Sequence, residues 1–405
     1  MQTQPFRLAI VVSHPIQYCA PLYRSLAKRD DLALKVFFTW HAAVGPERDP
    51  GFEREFRWDI PLTEGYEYEL VPNRSHHPGT HHFWGLRNPE LVRRVIGWRP
   101  NAVHITGYAY ASHLNAIRSF NHRRLPVLFR GDSHLLNEKR HGLRWKLKHF
   151  LLSWIYSHVR GFLYVGKHNC DYFHAFGVPD SKLFYCPHSI EVERFSEPND
   201  ELEAKAQAWR RQLGIADGAR VLLYAGKFDP VKQPIKLMTA VSRMDSNLVL
   251  LMVGNGELEQ DVQRLASKAP GKFRILPFQN QSVMPVVYRL ADVCTLPSAS
   301  ETWGLAVNEA LASGRKVLIS DRVGCAPDLV RSKLQGEVFA WDDWDDFETK
   351  ARRLLGEQYD ESSLRSYARE FDISVTERAL CDTLTQVLAT PSRHGRFVQE
   401  FHGFD

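Results

Sequence analysis

The sequence predicts an α/β protein built from two Rossmann-like parallel sheets in tandem, facing one another across a cleft. Three observations carry this prediction. Short apolar runs alternate with longer helical patterns along the chain, the signature of βα units around a parallel sheet. A polar, charged stretch, "SEPNDELEAKAQAWRRQLGIADGAR" (196–220), divides those runs into two sets. Neither a long internal repeat nor a low-complexity tract relates the two halves, so they are read as different sheets. The 405 residues, 44% hydrophobic and 24% charged, suffice for two domains with real cores.

In the first half the expected strands are "RLAIVVS", "ALKVFFTW", "NAVHITGY", "PVLFRG", "GFLYVG" and "KLFYCP". In the second they are "RVLLYAG", "NLVLLMVG", "FRILPF", "VCTLPS" and "KVLIS". Each is a short, largely apolar run, consistent with a buried strand. The segment 196–220 contains one expected helix and holds the domain junction, giving a first domain over 1–195 and a second over 196–374. Ligands of open α/β sheets bind outside the carboxyl ends of the strands, so functional motifs are expected just after them.

The net charge of +5 is unevenly spread: residues 1–198 hold 26 Lys and Arg against 18 Asp and Glu, leaving −3 for the rest. Part of the excess lies in "KRHGLRWKLKHFLLSWIYSHV" (139–159), where Lys139, Arg140, Arg144, Lys146 and Lys148 precede an aromatic, leucine-rich run. Two readings are open: a basic amphipathic helix in peripheral contact with an anionic membrane surface, or a domain helix with one solvated basic face. No nucleic-acid-binding motif accompanies the charge, so nucleic acid is not an expected partner. Six cysteines without a CxxC pair suit a reducing compartment. The opening "MQTQPFRLAIVVSHPIQY" reads as a first strand and not a signal peptide. A cytoplasmic protein is expected, peripheral to the inner face of the membrane if the first reading of 139–159 holds. No apolar run approaches the roughly 20 residues of a membrane span.

The segment "SASETWGLAVNEALASG" (298–314) carries two acids, Glu301 and Glu309, in surroundings short of charge. A turn at "ASETWG" follows a strand, a helix of small residues begins at Leu305, and Gly314 is placed to end it in the left-handed conformation. Amides of Thr302, Trp303, Gly304 and Leu305 are expected to point out of the helix start, where the backbone dipole favours a phosphate. Carboxylates nearby accept hydroxyl hydrogen bonds, so Glu301 is suited to a sugar and Glu309 to a ribose diol. For an isolated pair of acids at this spacing the bland reading, a first-turn helix stabiliser and an exposed helix residue, is preferred.

Context changes the balance. "PSASETWGLAVNEALASGRKVLISDRVGCAPDLV" resembles the donor-binding signature of retaining glycosyltransferases of family 4, which have the two-domain GT-B fold. "VLLYAGKFDPVKQP" (221–234) is similar to the family's strand and its two diphosphate-holding cations, mapping them to Lys227 and Lys232, with Lys227 where arginine is usual. "LLMVGNGELEQDVQRL" (250–265) resembles the family's strand, Gly-x-Gly turn and helix. Without a third glycine it is a poor dinucleotide fingerprint, and the turn at Gly254 and Gly256 is read as mainly structural. "ILPFQNQSVMPVVYRLADVCTLPS" (275–298) resembles the segment whose first loop, here Phe278 and Gln279, touches the nucleotide base.

The first half matches less well, as expected of a variable acceptor side. "YVGKHNCDYFHAFGVPDSKLFYCPHSIEVERF" (164–195) resembles the end of the family's first domain, with "HSIE" where Asn-Gly-Val-Asp is common. For "SHPIQYCAPLYRSLA" (13–27) two readings are equal: His14 and Gln17 face the cleft, or their loop packs on its helix. Relatives often carry a histidine near "FRGDSHLL" (129–136) that approaches the transferred sugar. Here His134 or Arg130 fills that place, His134 being preferred. The segment 362–389 resembles the family's crossing helix, returning the chain from about 375 to 405 to the first domain.

The resemblance implies a retaining, metal-independent hexosyltransferase-type enzyme of polysaccharide biosynthesis, with no cofactor. It would move sugar from a nucleoside diphosphate donor to a hydroxyl acceptor, a glycan or lipid-linked glycan, with Lys227, Lys232, Glu301 and His134 at the reacting centre. "WDDWDDFE" (341–348) contains an Asp-x-Asp, but its place before a helical pattern makes it an acid-rich helix start, and "RSHHPGTHH" (74–82) lacks regular metal-ligand spacing. A dinucleotide oxidoreductase, a sugar phosphorylase or epimerase of the same fold, and a non-catalytic sugar-nucleotide-binding protein remain as alternatives.

Overall fold

In the computed structural model the chain is described at residues 4–40, 47–49, 54–56, 58–196 and 200–389. Among the described residues fifteen strands follow in order: β1 Phe6–Val12, β2 Leu32–Phe38, β3 Glu47–Asp49, β4 Arg54–Phe56, β5 Glu67–Leu70, β6 Ala102–Thr106, β7 Val127–Arg130, β8 Gly161–Tyr164, β9 Leu183–Tyr185, β10 Arg220–Ala225, β11 Leu248–Val253, β12 Phe273–Leu276, β13 Val293–Leu296, β14 Lys316–Ser320 and β15 Gly336–Phe339. They form a seven-stranded sheet in the order β5-β2-β1-β6-β7-β8-β9, a six-stranded sheet in the order β12-β11-β10-β13-β14-β15, and the antiparallel β3-β4 hairpin.

Both large sheets are parallel throughout, and their residues alternate between two cores. On β1, Leu8, Ile10 and Val12 enter the core on one face while Ala9 and Val11 enter the other. On β10, Val221 and Leu223 face one core and Leu222 and Tyr224 the opposite one. Burial on both faces is why these strands read as continuous apolar runs and not as alternating ones. All eleven expected strands are present. The four others were not expected: β5 and β15 are edge strands, with "EYEL" largely solvent-facing and "GEVF" only four residues long, and β3 and β4 have three residues each.

The order of strands reverses between β1 and β6 in the first sheet and between β10 and β13 in the second. Loops after strands flanking such a switch point splay apart and leave a crevice. After β1 the chain reaches His14 and Gln17, after β10 it reaches Lys227, and after β13 it reaches Glu301.

Helix Asp200–Gln212 fills most of the described polar segment and sets Ala206 in a core of the second sheet. Helix Ile373–Ala389 lays Leu380, Leu384 and Val387 on the first sheet beside Leu8 and Leu34. Residues 390–405 of the expected returning tail lie outside the described residues. Among the described residues no helix is long and apolar enough to cross a membrane.

Candidate donor-binding cleft

A cavity of about 440 Å³ opens between the two sets of loops. From the second sheet it takes Lys227, Gly254, Phe278, Gln279 and Glu309, and from the first domain His14, Gln17 and Trp58. Six residues expected at the site from sequence therefore share one cavity. A larger cleft, of about 600 Å³, lies at the amino ends of the second sheet, where Arg220 opens β10 and Asp292 precedes β13. It is remote from the switch-point loops, and several of its charges pair with each other, as in Arg220–Asp292, Arg289–Glu203 and Arg315–Glu361. The smaller cavity is the functional candidate.

Helix Leu305–Ala312 starts as the sequence predicts. Gly304 is its N-cap at φ +100°, and a Cβ there would meet Leu296 Cδ2 at 2.9 Å and Val323 Cγ1 at 3.0 Å. Only glycine admits both the conformation and the contact. Gly314 closes the helix at φ +76°. Among the described residues, the amides of Thr302, Trp303 and Gly304 donate to no protein acceptor. The Trp303 indole is buried: its Nε1 donates to Asn308 Oδ1 at 2.9 Å, and its ring lies 5.5 Å from that of His188.

The two acids have different surroundings. Glu309 lines the cavity and accepts a hydrogen bond from the Tyr288 hydroxyl at 2.7 Å. Burial pushes its carboxyl above the ordinary range, opposed by that hydrogen bond and by the charge of Arg194. Glu301 does not line the cavity. Its carboxylate pairs with Lys232 Nζ, both side chains being about one-fifth exposed. Lys232 ends a short 3₁₀ turn, Pro230–Lys232, whose Val231 carbonyl accepts from the Ala299 amide at 2.8 Å. The lysine-bearing loop and the Glu301 loop are thus fastened through backbone as well as side chains.

First-domain loops close over this region. His134 Nε2 donates to the Glu301 carbonyl at 3.0 Å while its Nδ1 accepts from the Leu136 amide at 3.3 Å, which fixes the tautomer. Arg322 Nη1 donates to the Leu136 carbonyl at 2.6 Å, and Asn137 Nδ2 to the Ala299 carbonyl at 3.3 Å. Arg130 points elsewhere, holding Cys186 Sγ at 2.9 Å and the Pro187 carbonyl at 3.0 Å. Of the two first-domain candidates, only His134 touches the Glu301 loop. His14 lines the cavity with its Nδ1 against Ser13 Oγ at 2.9 Å and its ring edge-on to Trp40.

The Gly-x-Gly turn does more than hold the backbone. A Cβ on Gly254 would fall 1.9 Å from the Gly226 carbonyl oxygen, so the two loops touch backbone to backbone, and Gly254 itself lines the cavity. Asn255 Oδ1 accepts from the Phe278 amide at 2.7 Å, positioning the expected base-side loop.

Sequence reasoning missed Tyr288 and Trp58. Tyr288 lies in helix Met284–Arg289, every residue of which is buried, so no amphipathic pattern marks it. Trp58 belongs to the first domain and meets Phe278 edge-on at 6.0 Å, a partnership visible only in three dimensions. Asp343 caps helix Trp344–Gly356 by accepting from the Asp346 amide at 2.9 Å. Among the described residues no cluster of three His, Cys, Asp or Glu is arranged to hold a metal ion.

Two parallel Rossmann-like sheets with their switch-point loops facing one cleft constitute the GT-B fold, and solved structures bear this out. The Anabaena HepE protein in complex with UDP and glucose aligns at a TM-score of 0.68 with 14% identity, covering 94% of this chain and 99% of that one. A glycosyltransferase from Rickettsia africae aligns at 0.70 with 14% identity, covering 96% and 100%. At the level of sequence, residues 205–371 match the family model described as glycosyl transferases group 1. Curated relatives include the D-inositol 3-phosphate glycosyltransferases of Actinosynnema mirum, 32% identical over 42% of this chain and 43% of the relative, and of Corynebacterium glutamicum, 29% identical over 56% of each. The chain spans about half the length of the curated relatives it matches.

Proposed function

We propose that this chain is a retaining glycosyltransferase of family 4 that moves a sugar from a nucleoside diphosphate to a hydroxyl acceptor, a glycan or lipid-linked glycan, without a metal ion. The reaction belongs to polysaccharide biosynthesis at the cytoplasmic side. The single observation that carries this reading is the meeting of Lys227, Glu309 and the Phe278 loop in one cavity beneath first-domain residues His14 and Gln17. Residues 196–374 form the donor domain, and 1–195 with the returning last helix form the acceptor domain.

In this reading Glu309 holds the ribose diol, Phe278 and Gln279 contact the base, and Lys227, Lys232 and the amides of Thr302, Trp303, Gly304 and Leu305 bind the diphosphate. Leaving-group stabilisation is the main chemical task, because cations and aimed amides in a water-poor cleft act most strongly on the charge developing as the sugar–phosphate bond breaks. Attack by the acceptor on the face from which the diphosphate departs is carried over from the resemblance to retaining family-4 enzymes. Glu301 holds hydroxyls of the transferred sugar, and His134 approaches that sugar from the first domain. Domain closure supplies orientation and excludes water.

Names of the relatives favour a sugar donor, and UDP with glucose occupies the HepE complex, so UDP-glucose is the first ligand to try. A thermal-shift screen of UDP-, GDP- and ADP-sugars reads donor binding directly, since a ligand of the native state raises its stability. Product analysis by NMR with the successful donor and an acceptor panel then reads the anomeric configuration. Stabilisation by a sugar nucleotide with transfer and retention supports the proposal; an inverted product, or absence of any transfer, sinks it.

A further inference from the structure

Helix Gly142–Ser157 has two apolar faces. Its inner face buries Leu152, Ile155 and Tyr156, and Trp145 and His149 rest on Phe176 at 5.2 and 5.7 Å. Its outer face carries Leu143, Leu147, Phe150, Leu151 and Trp154, exposed by 82, 64, 71, 45 and 37%. Five of the 13 exposed large hydrophobic residues among those described lie on this one helix, so they are a patch and not the scattered exposure normal for a protein surface. Taken at about 100° per residue, the five fall within an arc of about 100°.

The charges around that arc are of one sign. On the same wheel Arg144 borders the stripe on one side and Lys146 on the other, and Lys139 and Arg140 precede the helix. The helix has no acidic residue, and Glu138 just before it is paired with Lys148. A two-fold contact with a second copy sets the same patch against itself and brings these cations together. An apolar stripe bordered by Lys and Arg is complementary instead to a surface that is anionic outside and hydrocarbon within.

We infer that the outer face of helix Gly142–Ser157 docks this protein on an anionic lipid bilayer, with Leu143, Leu147, Phe150, Leu151 and Trp154 entering the interface and Arg144 and Lys146 meeting the headgroups. The helix follows the loop in which His134 and Asn137 touch the Glu301 and Ala299 carbonyls, so a bilayer beneath it runs beside the interdomain cleft. The inference does not rest on the sugar-transfer reading, because docking needs neither donor nor catalysis.

Co-sedimentation with vesicles tests it, comparing phosphatidylglycerol/phosphatidylcholine mixtures with phosphatidylcholine alone. The wild-type chain is expected to bind the anionic vesicles at least tenfold more strongly than the neutral ones, with binding weakened by salt. Leu147→Ser with Phe150→Ser, and separately Arg144→Glu with Lys146→Glu, should each reduce the partition coefficient at least tenfold at unchanged thermal midpoint. No binding of the wild type to anionic vesicles, or equal binding by both double variants, overturns the inference. So does a dimer in analytical ultracentrifugation that Leu147→Ser with Phe150→Ser converts to monomer, since a second copy then covers the face.

Discussion

Lys232 Nζ donates to the Glu301 carboxylate across the mouth of two switch-point loops, one following β10 and the other β13. Each side chain is about one-fifth exposed, so each charge is partly desolvated and loses support if its partner is removed. A diphosphate reaching Lys232 has to compete with Glu301 for it, and the carboxylate so released becomes available to hydroxyls. Under the proposed function the same pair would link phosphate binding to sugar binding. Lys232→Ala is expected to lower kcat by about 10²-fold or more, the scale of removing one group aimed at developing charge. The pair also predicts non-additivity: Lys232→Ala with Glu301→Ala should be less damaging than the product of the single effects. Steady-state transfer rates of the four proteins decide the matter, and strictly multiplicative losses would show that the pairing is irrelevant to turnover.

The proposed hold of Glu309 on the donor ribose predicts a pH dependence of donor binding. Burial raises its carboxyl pKa, and a protonated carboxyl accepts fewer hydroxyl hydrogen bonds than the ionised form. Donor affinity is therefore expected to fall as pH drops into and below the raised carboxyl range, and to be flat and weaker in Glu309→Gln. Stability moves in the opposite sense. Because the folded state keeps the proton more tightly than the unfolded one, the stability contribution is present below the ordinary carboxylate pKa and is lost as pH rises through the raised value. At neutral pH Glu309→Gln is thus expected to raise Tm while weakening donor binding. Calorimetry of binding and of unfolding at pH 5 and 7.5 measures both; a variant that binds donor as the wild type does removes Glu309 from the site.

The backbone of the site was legible because βα units punctuate themselves: apolar runs end at Gly, Pro or Ser, and motif residues follow. Glu309, Lys227, Phe278 and Gln279 each lie just beyond such a run or on the helix after it, and each lines the cavity. The pairing of Lys232 with Glu301 was not legible, for 69 positions separate them and only the packing of β10 against β13 brings their loops together. Tyr288 escaped for a different reason. Its helix is buried on all sides, which erases the periodicity by which a functional face is ordinarily recognised. Edge strands β5 and β15 were missed because an edge needs less apolar sequence than the strands beside it.

Gly254 couples the site to the fold. Its φ is +153°, and a Cβ would sit 1.9 Å from the Gly226 carbonyl oxygen, a backbone atom that cannot swing away. Gly254→Ala must push apart the loops carrying Lys227 and Phe278, at a cost of about 3 kcal/mol or more from combined strain and lost contact. Gly271, with open space around its Cβ position, is the control: Gly271→Ala should leave Tm within about 1 °C, as for a surface change away from packed features. Thermal unfolding of the two variants checks this, and equal midpoints would refute the backbone contact.

Acid sensitivity should originate in the first domain's buried histidines. Neither ring nitrogen of His104, on β6, has a hydrogen-bond partner, and burial with the nearby Arg130 charge lowers its pKa to about 3. His113 is lowered to about 4 by burial, opposed by carbonyls of Gly107 and Thr106. The unfolded chain takes up these protons near pH 6.5 while the folded chain refuses them, so stability is full above that pH and falls as pH drops toward 3. Each group then removes about 2 kcal/mol by pH 5, from the gap of about 1.5 units to the ordinary histidine value. His104→Leu, which sets an apolar side chain between Ile10 and Leu128 of the neighbouring strands and carries no titrating group, should flatten the profile by that amount. Chemical denaturation at pH 7 and pH 5 measures it: the wild type is expected to lose about 2 kcal/mol more than the variant, and parallel losses would mean that His104 protonates freely in the folded protein.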